Sequence, residues 1–313
     1  MTETATIRDE VAEALLDPRE VEAIFVHPHP YRTSHWLAGL DVAYADGSFE
    51  SLVLKDLGPD SLGRSTGEAK PAFAHDPLRE IEVYRSVLTG ARLGTAAFRG
   101  AVVDPSRRRF WLVVERVEAT ELWQLGSLES WCRAAAWLAG MHSQLRDAAS
   151  DHLVRWTPDY VATWISRASQ FCADAAVGVA ARRSTELTER LLALPAGFVH
   201  GELYASNVLV DERSGRVCPL DWEMAGVGPQ LLDLAALTSG AWTAEERREI
   251  ATAYWRRAES TMSLDELLAE LDVCRLYIAL QWLGWSRGWT PPPEHAHDWL
   301  SDVRVLLEEV GLA

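Results

Sequence analysis

The chain is 313 residues long and 48% hydrophobic, enough for a large core and longer than most single domains. Its formal charge of −16 at pH 7 argues against a nucleic-acid or anionic-membrane partner, which needs clustered Lys and Arg, and is compatible with a cationic ligand. No apolar run approaches the ~20 residues that cross a bilayer, the acidic N-terminus lacks the pattern of a signal peptide, and four scattered cysteines without a CxxC pair read as reduced thiols of a cytoplasmic protein.

Strand-type runs come first, at residues 22–26, 36–47 and 50–57, punctuated by Pro, Gly and Asp-Gly turns. A connector rich in Gly, Ser and Pro spans 58–74. It leads to Asp76 and Pro77, an N-cap and first helical residue for a helix over 78–88. Residues 98–104 and 108–117 predict a strand pair turned at Asp104-Pro105-Ser106. After about residue 118 the pattern becomes helical. A first helix over 127–145 sets Leu128, Trp131, Ala135, Leu138 and His142 on one face. Further helices are expected over 158–176, 184–194 and 243–260, with two more near the C-terminus. Thr243 and Glu246 form a capping-box pattern for the helix they open. One β-rich island, residues 197–223, interrupts the helices. The expectation is an α+β fold of two lobes: a small β-rich lobe over 1–117 and a larger helical lobe over 118–313.

Of 30 basic residues only Lys55 and Lys70 are lysine. A chain so biased toward arginine keeps lysine where a guanidinium would not serve, since the two differ in shape, hydration and donor geometry. Lys55 sits in the middle of a strand run, SLVLKDL, where a surface lysine has no purpose. Lys70 lies in a loop and reads as incidental.

The island carries the densest chemistry. His200-Gly201-Glu202 precedes Asn207, and Asp221-Trp222-Glu223 follows. Strands 207–210 and 216–220 flank a turn at 211–215. A hairpin centred near Ser214 sets Asn207 opposite Asp221 at its open end, where facing Cβ atoms lie about 5 Å apart. An amide oxygen and a carboxylate at that separation suit one Mg²⁺, which takes few protein oxygens and fills its shell with water and phosphates. The five-residue spacing from Glu202 to Asn207 also matches a kinase catalytic loop.

This run resembles the His-Gly-Asp-x-x-x-x-Asn and Asp-Trp-Glu motifs of the aminoglycoside phosphotransferase and choline kinase family. The resemblance implies a bilobal protein-kinase-like fold. It implies phosphoryl transfer from ATP, with Mg²⁺, to a hydroxyl of a small molecule such as an aminoglycoside or amino sugar. It assigns Glu202 and Asp221 to catalysis, Asn207 and Asp221 to the metal, and Asp233 to bracing the catalytic loop. Lys55 matches the lysine on the α- and β-phosphates. Glu80 is its expected partner; the alternative, Glu82, shares a face with Arg79 and Arg85. Glu115 to Val117 would form the hinge against adenine, and Thr33 and Ser34 would reach the phosphates in place of a glycine-rich loop. His142, in LAGMH, is read as structural. The sequence departs from the family in carrying Glu202 where an aspartate is usual. Either the loop has adjusted to the longer side chain, or the chain is a catalytically silent nucleotide-binding module. A protein kinase is the third reading, against which stand the missing glycine-rich loop and the missing segment after Asp221.

The sequence holds 14 tryptophans. Trp156, Trp164, Trp282, Trp285, Trp289 and Trp299 lie in the helical part and read mainly as packing. The stretch 280–299 is broken by Gly284, Gly288 and three prolines. A loop there could offer indoles with Glu294 and Asp298 to a cationic acceptor through cation–π and charge contacts.

Overall fold

The computed structural model describes residues 3–29, 35–61, 71–259, 261–285 and 296–313. Alternating apolar residues build an antiparallel sheet from β1 (Val21–Pro28), β2 (Trp36–Tyr44), β3 (Phe49–Asp56), β4 (Phe98–Asp104) and β5 (Arg109–Glu115), in the order β1-β2-β3-β5-β4. On β3 the alternation sorts two faces: Leu52 and Leu54 are fully buried on one, Val53 and Lys55 lie on the other. The turn from β4 to β5 is closed by Asp104, whose carboxylate accepts from Ser106 N and Arg107 N, and by Arg108 in the left-handed region (φ 55°).

The Leu52 face is covered by a helix over Glu3–Ala14, a segment whose composition marked it only as acidic. Its Ile7 and Val11, one turn apart, pack with Ile24, Leu40, Val42, Tyr44, Trp111 and Val113. The expected helix over 78–88 is α-helical only from Arg79 to Glu82. It then widens into a π-helix over Val83–Leu88 that buries Val83, Tyr84, Val87 and Leu88. Such widening is rare and frequent beside functional sites.

Beyond β5 come β6 (Thr120–Glu121), β7 (Val154–Arg155), β8 (Ala196–Val199), β9 (Val208–Asp211), β10 (Arg216–Pro219) and β11 (Gly226–Pro229). They form two small sheets, β10-β9-β6 and β7-β11-β8, set among helices. The main helices run over Leu128–Gln144, Pro158–Phe171, Ala175–Arg182, Ser184–Leu192, Leu231–Leu237, Ala244–Arg257, Leu264–Leu283 and Trp299–Glu309. The single helix expected over 158–176 is two. Cys172 leaves helical geometry (φ −121°, ψ 103°), and Asp174 caps the next helix by accepting from Ala176 N. The capping box at Thr243 and Glu246 forms, and Ser263 with Glu266 repeats it. The chain is therefore α+β, with a β-sheet N-terminal part and a helical C-terminal part. Among the described residues, no helix is long and apolar enough to cross a membrane.

Candidate active site

Lys55 projects from β3 toward the helical part. Its Nζ lies 2.6 Å from Glu80 Oε2, 2.6 Å from Asp221 Oδ1 and 3.1 Å from Glu223 Oε1. Burial by itself would pull the ammonium's pKa down. Asp221, Glu80 and Glu223 together outweigh that and hold it well above the usual lysine range. Glu80 is itself only 3% exposed, and burial pushes its carboxyl up to about 7 against the opposing pull of Lys55. Glu82 instead bonds Arg85 and Ser86 on the outer side of the helix. The carboxylates of Glu80, Asp221 and Glu223 can offer oxygens within 4.8 Å of one another.

Asp221 reaches this position through an unusual backbone. It lies in the left-handed region (φ 63°, ψ 65°), one of two described non-glycine residues to do so. That conformation costs of order 1–3 kcal/mol and persists where the surroundings impose it. It also corrects the expected pairing. The hairpin closes on Asp211 and Arg216, with four residues between them, so Val208 faces Pro219. Leu220 N then donates to Asn207 O at 2.8 Å. Asn207 is therefore opposite Leu220, not Asp221. A loop one residue shorter than the assumed turn moves the register by one, and Asp221 turns out of the strand instead of facing Asn207 across it.

The loop before the hairpin is held from beneath. Asp233 is fully buried. Its Oδ2 accepts from His200 N (2.7 Å) and its Oδ1 from Gly201 N (2.9 Å), while His142 Nε2 stands 3.1 Å from Oδ2. His142 Nδ1 meets Tyr254 OH at 2.9 Å, so this histidine bridges helix to helix. Gly201 has φ +87°, and a Cβ there would fall 2.2 Å from Met224 O, so no other residue fits. His200 accepts at Nδ1 from Glu202 N and donates from Nε2 to Leu220 O, the pattern of a neutral ring. Burial, the main cause, keeps its pKa below the usual histidine value. Glu202 emerges from this loop half-buried, and Asn207 Nδ2 donates to the Glu202 carbonyl at 3.0 Å.

Two residues that the sequence left without a role belong to this cluster. Glu223 was visible in the Asp-Trp-Glu run. His35 directly precedes β2, and its Nε2 lies 3.2 Å from Glu223 Oε1. Thr33 and Ser34 fall outside the described residues, as do Lys70, Trp289 and Glu294. At the end of β5, Glu115 N donates to Ala97 O and Arg116 N to Ser51 O, while Val117 is half-buried beside them. The Glu115 side chain faces Arg216 of the hairpin.

At the two described ends of the tryptophan-rich stretch, Trp282 and Trp299 belong to the core. Trp282 and Trp299 are 9% exposed and stack on each other at 5.2 Å, and Trp282 Nε1 donates to Tyr204 OH at 2.7 Å. Asp298 caps the final helix by accepting from Ser301 N. More open aromatic surface is supplied by the connector. Phe73, 43% exposed, packs edge-on against Tyr160 (5.8 Å) and Trp164 (5.4 Å), and Trp164 in turn contacts Trp285.

Residues 70–274 match the phosphotransferase enzyme family, about two thirds of the chain and all of the hairpin region. The chain belongs to that family. No curated protein matches it. Among solved structures, an amicoumacin kinase in complex with AMP-PNP and Ca²⁺ is similar at TM-score 0.62 and 13% identity, covering 99% of this chain and 93% of that one. A choline/ethanolamine kinase family protein from Mesorhizobium loti gives 0.61 at 16% identity, covering 92% and 90%. Choline kinase LicA from Streptococcus pneumoniae gives 0.59 at 16%, covering 94% and 95%. At such identities the likeness is one of fold, and it makes the two-part α+β architecture protein-kinase-like.

Proposed function

We propose that this phosphotransferase moves the γ-phosphoryl group of ATP to a hydroxyl of a small molecule, with Mg²⁺ as the metal. The observation that carries the reading is the Lys55 cluster: one buried ammonium drawn to Glu80 and Asp221 at 2.6 Å, beside a loop that carries Glu202 and Asn207. The donor set fits the metal. Three carboxylates share a single ammonium, and their oxygens are the hard ligands that Mg²⁺ prefers. Asn207 and Asp221 would hold it; the metal, when bound, neutralises charge on the phosphate oxygens.

The remaining work falls to the chain. Lys55 is turned toward the phosphates by Glu80 and contributes a compact positive charge. The Asp233 brace fixes Glu202, whose carboxylate accepts the proton of the acceptor hydroxyl. Phosphoryl transfer depends mainly on positioning and charge neutralisation, so a glutamate on a rigid loop can serve where an aspartate is usual. Glu115 and Val117 offer backbone groups to adenine, and Thr33 and Ser34 lie in sequence where a phosphate loop is needed. The acceptor site would adjoin Glu202, whose negative charge is felt at Tyr160 and Tyr204. The open aromatic ring of Phe73, together with the acidic chain, favours a cationic acceptor such as an amino sugar or amino alcohol.

The test has two parts. Purified protein is incubated with labelled ATP and a panel of aminoglycosides, amino sugars, nucleosides and amino alcohols, and transfer of label is measured. Mg-ATP at 100 times its Kd should also raise the unfolding free energy by about 2.7 kcal/mol. Asp221→Asn should lose most of the Mg²⁺-dependent share. Equal stabilisation of both proteins would remove Asp221 from the metal site. A catalytically silent module would show the binding without any transfer of label.

A further inference from the structure

The hairpin whose open end carries Asn207 and leads to Asp221 carries Arg216 at its closed end. Arg216, the first residue of β10, is half-buried, with 30% of its side chain exposed. Its Nη1 and Nη2 donate to the two oxygens of Glu115 at 2.7 and 2.8 Å, a bidentate fork. Nε donates to Gly94 O at 2.7 Å and Nη2 also to Thr95 O at 3.1 Å. Glu115 accepts further from Ala97 N at 3.1 Å. A planar guanidinium with four acceptors around it has one orientation left. The contact joins residues 101 apart in sequence, and it differs from an ordinary surface pair, whose two long side chains must be ordered for a single bond. The hydrogen bonds from Arg216 are the main cause holding the Glu115 carboxyl below the usual glutamate range.

The two ends of this contact are the two ends of the nucleotide site in the reading above, on which this inference rests. Glu115 begins the segment that faces the base, and the hairpin presents the groups that face metal and phosphate. A ligand that engages both ends at once gains from their fixed separation, as any two linked binding sites do. We propose that Arg216 is a positioning residue that bolts the metal-bearing hairpin to the hinge, so that base and phosphates are held simultaneously. Gly94, whose carbonyl takes the Arg216 Nε bond, lies in the left-handed region (φ +72°) that favours glycine.

The experiment compares three ligands by calorimetry on the full chain: Mg-ATP, which spans the site, adenosine, which uses the hinge, and Mg-tripolyphosphate, which uses the hairpin and Lys55 but not the hinge. Arg216→Ala should weaken Mg-ATP by about tenfold or more while leaving the two half-ligands within about twofold, and Glu115→Gln should weaken Mg-ATP alike while leaving Mg-tripolyphosphate within about twofold. Arg216→Lys keeps the charge and loses the fork, so it should follow Arg216→Ala. Parallel weakening of adenosine and Mg-ATP would mean that Arg216 merely supports the hinge, and unchanged Mg-ATP affinity in both variants would mean that the clamp positions nothing. Either result overturns the inference. A wild-type chain that takes up no Mg-ATP overturns the nucleotide reading itself, which separates the two failures. Glu115→Gln, which leaves the two carbonyl contacts of Arg216 in place, keeps the comparison valid if Arg216→Ala fails to fold.

Discussion

The lone buried carboxylate of Asp233 and the three carboxylates around Lys55 are built in opposite ways. Asp233 is fully buried, yet both of its oxygens are matched by donors of the chain: two backbone amides and a histidine. Around Lys55 three carboxylates compete for one ammonium. A buried charge matched in this way holds structure in place. A cluster of three carboxylates around one ammonium, with His35 at Glu223, brings oxygens close enough together to offer them to a cation. The difference separates framework from chemistry more clearly than burial does, since Glu80 and Asp233 are both buried.

The comparison can be broken or sharpened by substitution. The largest effect is expected at Glu202, which the brace holds and the cluster adjoins. Glu202→Gln keeps size and hydrogen bonding but accepts no proton, so turnover should fall about 10²–10⁴-fold with Mg-ATP binding intact. An unchanged rate would remove Glu202 as the base. Lys55→Arg keeps the charge and replaces a compact ammonium by a wider planar fork among three carboxylates. We expect turnover to fall on the order of 10²-fold in a protein whose melting temperature barely moves. Full activity would undo the argument from lysine scarcity.

The brace should respond differently. In Asp233→Asn the amide NH₂ faces donors, leaving at least one buried group unpaired, at a cost of about 1–3 kcal/mol in stability. Denaturant unfolding would measure it, and an undisturbed midpoint would show that the brace is not needed for folding. The smallest effect concerns pH. His200 is held neutral, chiefly by burial, with its pKa below 6.5. As pH falls below about 6.5 the unfolded chain takes up a proton that the folded ring resists, so stability drops toward and through the lowered folded value; above 6.5 the contribution is constant. His200→Asn should flatten that acid limb relative to wild type, as read from melting temperatures between pH 7 and pH 4.5. Identical slopes would mean that His200 does not titrate with unfolding.

Much of this arrangement could be read in advance, and the parts that could not share a cause. The strands at 98–104 and 109–115, the cap at Thr243 and the helix carrying Glu80 follow from periodicity and turn chemistry, which are local. The N-terminal helix is hard to read in the sequence because its mean hydropathy is low and, among its described residues, Ile7 and Val11 are the large apolar side chains that mark its buried face. The register of the hairpin was misjudged by one residue because several loop lengths suit the same turn residues, and only the Asp211–Arg216 pairing chooses among them. The tryptophans at 282 and 299 could not be told from a ligand wall by composition, since stacking between two helices leaves no trace in either one.

By itself the sequence determined most of the strands and helices, the change from β-rich to helical near residue 118 and the residue types capable of phosphoryl chemistry. Tertiary structure alone decided which of them meet. Lys55 and Asp221 are 166 residues apart, and Glu223 and His35 join them only because the sheet closes onto the 222–224 turn. Arg216 reads as an ordinary strand-end arginine until the hairpin is seated against Gly94, Thr95 and Glu115. Propensity and periodicity act over a few residues, whereas these contacts come from burying apolar faces that lie far apart in the chain, and the charged groups are carried together by that packing.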